Sequence, residues 1–223
     1  METIKDNRNS PMKYAVLIAL FVLPLVIYLL SASGEELFNL LPQLTKDVSH
    51  LDEFEDLDGN TVSLENKITI LGFFGDDPES KKGNALNLNE KIYKRNYKFD
   101  DFQFVILITE EGRSKAVELR NKIEAYTSTE KWIFAVGSEE ATSNVFNSLE
   151  TDMSLSNNFT TPYVFIIDKE RILRGREDDE DSGLMYGYNS ADIAEISNKM
   201  VADVKVILAE YRRALKKYNS DRK

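Results

Sequence analysis

Residues Thr160–Arg176 read TTPYVFIIDKERILRGR. Tyr163 to Ile167 is an unbroken aromatic and β-branched run, Lys169-Glu170 supplies a turn, and Arg171 to Gly175 returns through Ile172 and Leu173. This pattern predicts two adjacent strands opened by the Thr161-Pro162 step. Upstream, KITILGFF (Lys67–Phe74) and FQFVILIT (Phe102–Thr109) are continuous apolar runs without alternation, as expected of strands covered on both faces. KWIFAV (Lys131–Val136) is a third. Between them lie helical segments. One runs from Glu79 to Arg95, started by Gly75-Asp76-Asp77-Pro78 with an acidic cap and proline in the first turn. Others run from Glu111 to Tyr126 and from Ser138 to Leu149, and a long one runs from Ser190 to Tyr218. The last carries an apolar stripe of Ile193, Ile196, Met200, Val204, Ile207, Leu208, Tyr211 and Leu215. Phe54–Leu57 and Thr61–Leu64, around Asp58-Gly59-Asn60, predict a small hairpin before the first central strand. The order is hairpin, β-α-β-α-β-α, then β-β-α, which predicts an α/β fold: a mixed sheet flanked by helices on both faces.

The N-terminal third has another character. Tyr14–Leu30, YAVLIALFVLPLVIYLL, holds seventeen residues without a charge. At 1.5 Å per residue it would span about 26 Å, close to a bilayer core, and an apolar stretch with no polar side predicts one N-terminal transmembrane helix. Lys5, Arg8 and Lys13 precede it and no basic residue follows before Thr45, so the positive-inside rule puts the N-terminus in the cytoplasm and the domain outside it, in the periplasm. Ser31-Ala32-Ser33 also suits a cleaved signal peptide, which would deliver the domain to the same side. Leu37, Leu40, Leu41 and Leu44 predict a short amphipathic helix broken by Pro42, lying on the membrane, packed on the domain or part of a loosely ordered tether. The expected boundaries are a cytoplasmic N-terminus at 1–13, an anchor at 14–30, a tether at 31–52, a folded domain at 53–218 and a polar tail at 219–223.

Composition removes whole classes of chemistry. The chain has no cysteine and one histidine, His50, so thiol redox reactions, cysteine nucleophiles, Cys-ligated metals and His clusters are all excluded. Formal net charge is −10 from 28 basic and 38 acidic residues, and an acidic chain without a basic stripe argues against nucleic-acid binding. His50 falls in the tether, so no Ser-His-Asp arrangement can be assembled in the domain. Glu177-Asp178-Asp179-Glu180-Asp181 lacks the spacing of a calcium loop and is expected to be a solvated loop. Asn158-Phe159-Thr160 matches the short N-glycosylation sequon.

The element order, with Thr-Pro before a hairpin and a terminal helix, resembles the thioredoxin-like superfamily. FEDLDGNTVSLENKITILGFF (Phe54–Phe74) is similar to the start of extracytoplasmic thioredoxin-like proteins, and TTPYVFIIDKERILRGR to their second half. Over residues 53–218 the chain looks most like the Sco/SenC group, membrane-anchored copper chaperones of cytochrome c oxidase assembly. The resemblance implies a cis peptide before Pro162 and a copper site made of a C-P-x-x-C-P motif and a later histidine. With Pro78 laid on the first proline of that motif, Asp77 and Lys81 stand where the two thiolates would be, and no histidine lies between Leu155 and Tyr163. A carboxylate is a poor ligand for Cu(I), and a protonated lysine is none. The implied cofactor set is therefore none, and the expected role is a non-catalytic binding or assembly-accessory protein with a protein partner in the envelope. Alternatives are a subunit of an envelope complex, or a carboxylate-dependent hydrolase using Asp76, Asp77 or Glu79. The candidate vestigial-site residues are Asp76, Asp77, Pro78, Lys81, Thr161 and Pro162.

Overall fold

The computed structural model describes residues 11–33 and 40–220, with side chains given for 14, 16–26 and 40–214. It falls into two compact units, Met1–Asn39 and Leu40–Lys223. In the first, α1 (Pro11–Ser33) is a 23-residue helix that carries Pro24 in its interior, and its described side chains are exposed. The expected span at 14–30 lies partly outside the described side chains; among the described residues, no helix is long and apolar enough to cross a membrane. The expected amphipathic helix at 37–44 also begins outside the described residues, and its latter part is extended, with β1 at Gln43–Thr45.

The second unit is built on β3 (Ile68–Gly75), β4 (Phe102–Thr109), β5 (Trp132–Gly137) and β6 (Thr160–Ile167). With β2 (Glu55–Asp56) and β7 (Leu173–Arg174), the sheet order is β1-β7-β6-β3-β4-β5-β2, and β10 (Tyr188–Asn189) also pairs with β6. β3, β4 and β5 are parallel, while β6 runs antiparallel to β3 and β7 to β6. This is a mixed sheet, and its central strands are buried on both faces because helices cover both.

Alternating side chains sort into two cores. Ile68, Ile70, Phe102, Phe104, Ile106, Ile108, Trp132 and Phe134 point to one face. There they meet Ala85 and Leu88 of α2 (Lys82–Leu88) and Ile92 and Tyr93 of the following π-helical turn (Asn89–Tyr93), which continues into α3 (Lys94–Asn96). Ala116, Leu119 and Ile123 of α4 (Arg113–Glu124) fill the same face. Leu71, Phe73, Val105, Leu107 and Ala135 point to the other, against Ala141, Val145 and Phe146 of α5 (Glu139–Asn147) and against Val48, Leu51 and Phe54. Ser138 caps α5 by accepting from the Ala141 amide at 3.0 Å. The terminal helix is α6 (Ile193–Glu195), capped by Asp192, then a π-helical turn (Ile196–Met200) and α7 (Val201–Ser220). Of its expected stripe, Ile196, Met200, Val204, Ile207 and Leu208 are buried and Tyr211 is half-buried, whereas Ile193 is exposed and the side chain of Leu215 lies outside those described.

Four expectations are corrected. The folded unit begins at Leu40 rather than residue 53, because Leu41, Val48 and Leu51 are buried in it. The acidic run forms a hairpin, β8 (Arg176–Asp179) pairing with β9 (Gly183–Met185), in which Asp179 is buried among cations while Glu177, Asp178, Glu180 and Asp181 are exposed as expected. The small hairpin at 54–64 shrinks to one bridge between Glu55 and Thr61, because β2 pairs instead with β5. Finally, no peptide among the described residues is cis, so the Thr161-Pro162 bond is trans. β6 starts at Thr160, opposite Phe74, and Val164 lies opposite Gly72, so Pro162 occupies an irregularity in the ladder where no donor is required.

Candidate functional site

The loop leaving β3 is held backbone against backbone. Gly75 has φ +46°, and a Cβ there would lie 1.9 Å from the Asn158 carbonyl oxygen. A Cβ on Gly112, at the start of α4, would lie 2.3 Å from the Gly75 oxygen. Only glycine fits either contact. The Asp76 amide then donates to the Asn158 carbonyl at 3.1 Å, which ties this loop to the turn before Thr160.

Each carboxylate of the loop has a partner. Asp76 accepts from the Thr109 hydroxyl at 2.5 Å. Asp77 pairs with Lys115 of α4 at 3.1 Å, and the same ammonium donates to the Asp76 carbonyl at 3.4 Å. Glu79 pairs with Lys122 at 2.6 Å. Asp77 stands at the N-cap of the 3-10 turn Pro78–Lys81, yet its side chain makes no capping bond; the ion pair to α4 takes its place. Pro78 is buried. Burial lowers the Lys81 ammonium below the ordinary lysine range, and the Asp77 carboxylate opposes that shift.

Thr161 and Pro162 belong to the neighbouring strand end. The Pro162 carbonyl accepts from the Ser190 amide at 2.9 Å and from its hydroxyl at 2.5 Å. Ser190 in turn accepts from Asn84 at its hydroxyl, 2.8 Å, and from Asn87 at its carbonyl, 3.1 Å. The helix that follows the Asp77 loop is thus linked through Ser190 to Pro162, and the two strand ends lie side by side. They do not share one cleft. Thr161, Pro162 and Tyr163 line a cavity of about 490 Å³ with Met153, Leu184 and Met185, and none of Asp76, Asp77, Pro78 or Lys81 lines it.

The chemistry of this corner follows from its donors. Among the described residues no group of three or more His, Cys, Asp or Glu side chains converges as a metal site. Asp77 and Lys81 offer one carboxylate already paired with a lysine and one cationic amine, which does not fit a Cu(I) ion that calls for thiolate and imidazole. No step through copper is therefore assigned to these residues. Asn158 is exposed, but its carbonyl is engaged by Asp76 and the Thr160 hydroxyl lies 2.9 Å from Ser156. His50 lies 3.6 Å from Glu65 at the surface.

Two ionic clusters were missed by the sequence reading. Arg174 is buried, with Asp168 at 2.9 Å, Glu210 at 2.7 Å and the Leu41 carbonyl at 2.8 Å. Arg176 pairs with Asp203 at 2.7 Å and Asp179 at 3.0 Å, Lys199 pairs with Asp179 at 2.5 Å, and the Tyr188 hydroxyl donates to Asp203 at 2.7 Å. Together they bind the β7–β9 region to the terminal helix. The available signal was the placement of Arg174 within a predicted strand; nothing in the sequence marked Arg176.

No family model matches the chain, and no curated protein matches it in sequence. Among solved structures it is similar to an Aquifex aeolicus VF5 protein provisionally assigned to electron transfer, with 12% identity and a TM-score of 0.51 over 72% of this chain and 95% of that one. It is also similar to BsSco, a member of the Sco family of cytochrome c oxidase assembly proteins, with 14% identity and a TM-score of 0.49 over 74% and 95%. A third is the thioredoxin domain of a thiol-disulfide oxidoreductase from Bacteroides vulgatus, with 17% identity and a TM-score of 0.42 over 73% and 93%. At these identities the likeness concerns the fold alone: it is thioredoxin-like. This chain is a cysteine-less example of the fold.

Proposed function

We propose that the chain is a membrane-anchored, extracytoplasmic thioredoxin-like domain that acts as a non-catalytic binding or assembly-accessory module. The observation that carries this reading is the state of the redox corner. Positions 77 and 81 hold Asp and Lys, Asp77 is paired with Lys115, and no cysteine is present anywhere in the chain. Electron transfer through dithiols is impossible without thiols, so what the fold retains is a surface. The 490 Å³ cleft beside Pro162, with Met153, Tyr163, Leu184 and Met185 in its lining, offers the mixed apolar and polar wall that protein segments use. Anchoring is supported by the uncharged Tyr14–Leu30 stretch and the basic residues before it. A link to respiratory oxidase assembly rests on the sequence resemblance described above.

The test uses the full chain purified in detergent. It should reduce no insulin disulfide and surrender Cu(I) to a competing chelator. A photo-crosslinker at Leu184 in native membranes should capture one discrete partner, and one at Glu140 should capture none. Stoichiometric copper surviving the chelator, or disulfide turnover, would show that the corner still does chemistry.

A further inference from the structure

We infer that the C-terminal end of α7 docks the domain onto the anionic lipid surface of the membrane from which its chain emerges. This rests on the anchored reading above and adds a contact surface to it. Charge is distributed unevenly along the chain. Residues 34–211 carry 19 basic and 35 acidic side chains, whereas residues 212–220 carry Arg212, Arg213, Lys216 and Lys217 and no acidic one. α7 runs through Ser220, so all four lie on one continuous helical segment. A helix macrodipole favours cations only in the last turn. Arg212 and Arg213 stand well before it, so the dipole does not account for them.

Position supplies the second observation. The Arg174 guanidinium donates to the Leu41 carbonyl at 2.8 Å and to the Glu210 carboxylate at 2.7 Å. One side chain therefore holds both the segment by which the chain comes into the domain and the point at which α7 leaves its body. The cationic stretch starts two residues beyond Glu210. Arg212 packs its guanidinium over the Phe99 ring at 4.8 Å and remains exposed. On the anchored reading, four basic residues beside the point where the chain enters the domain are drawn to anionic headgroups, while the acidic remainder of the domain is repelled. The two forces act together to turn this pole toward the lipid.

The absence of cysteine makes the test clean. The full chain with S220C takes a single fluorophore, and it is reconstituted into phosphatidylcholine vesicles with or without about one-third phosphatidylglycerol, with spin-labelled lipid as quencher. Quenching is expected only with phosphatidylglycerol. Each lysine replaced should lower the ratio of docked to undocked domain about fivefold, so K216Q/K217Q, which leaves Arg212 on Phe99, should lower it by more than about tenfold. Equal quenching in both vesicles, or an unchanged ratio in K216Q/K217Q, overturns the inference. Quenching in native membranes without dependence on phosphatidylglycerol would assign the helix to an acidic protein and overturn the lipid assignment. Alkaline carbonate extraction of the same vesicles reads the anchor separately. A chain released by carbonate refutes the anchor, and salt-sensitive co-sedimentation with phosphatidylglycerol vesicles then decides the helix alone.

Discussion

Replacing Arg174 by Met should cost the Leu40–Lys223 unit about 3–4 kcal/mol. Arg174 is 2% exposed and Asp168 1% exposed, so their pairing at 2.9 Å is screened from water. Methionine matches the length of the arginine stem, which keeps the packing loss small. The cost comes from what is left behind. Breaking a buried pair by removing one partner costs about 3–5 kcal/mol, because a charge stays buried without compensation. Asp168 keeps its bonds from the Glu170 and Ile172 amides at 2.9 and 3.0 Å, and Glu210, partly exposed, can turn to solvent; both place the loss at the low end of that range. Losing the donor to the Leu41 carbonyl adds about 1 kcal/mol. For a domain of this size each kcal/mol lowers Tm by about 2–4 °C, so a drop of roughly 10 °C is expected. Urea titration followed by Trp132, the single tryptophan and a buried one, measures it directly. The triple variant D168N/R174M/E210Q leaves no unpaired charge and should recover most of the loss. A cost below about 1 kcal/mol for R174M, or a triple variant weaker than R174M, would refute this reasoning.

Three further outcomes are expected. The Lys199 ammonium, helped by the Asp181 and Ser182 amides and by Arg176, holds Asp179 at about 2 against an ordinary value of 3.8. A depressed folded value means that this stabilisation is complete above about pH 4 and disappears as pH falls toward 2; urea midpoints of D179N should be flatter than those of the parent across that window, and parallel curves would contradict it. Gly75→Ala should lose at least about 2 kcal/mol in urea denaturation, since its methyl group meets the Asn158 carbonyl at a φ of +46°; a neutral result would mean that this loop can move aside. Ser190→Ala should lose about 1–3 kcal/mol and speed hydrogen exchange at the start of β6, because one hydroxyl serves both Pro162 and Asn84; unchanged exchange there would remove the proposed link between the two strand ends.

The central strands were legible because four apolar runs allow little else. Phe102–Thr109 is a strand with the boundaries expected, and α5 opens at Ser138 where a helix was expected to start. What failed depended on partners distant in sequence. Glu177–Asp181 looks solvated by composition, yet Arg176 and Lys199 draw Asp179 into a buried cluster. Leu41 to Leu51 looks like a tether, yet Arg174 and the core beneath α5 hold it down. The trans bond before Pro162 depends on how β6 meets β3, which no local pattern encodes. For the candidate site, the residue types at 76–81 were readable, but the lysines of α4 that neutralise them were not.

The pairing of Lys115 with Asp77 also bears on how far this corner stands from reactivity. The Lys115 ammonium stands 3.1 Å from the side chain at 77. A sulfhydryl introduced there would have a lysine beside it, the kind of neighbour that favours the thiolate. The fold thus places a cation where a thiol would need one, and thiol chemistry here would require new side chains and no new architecture.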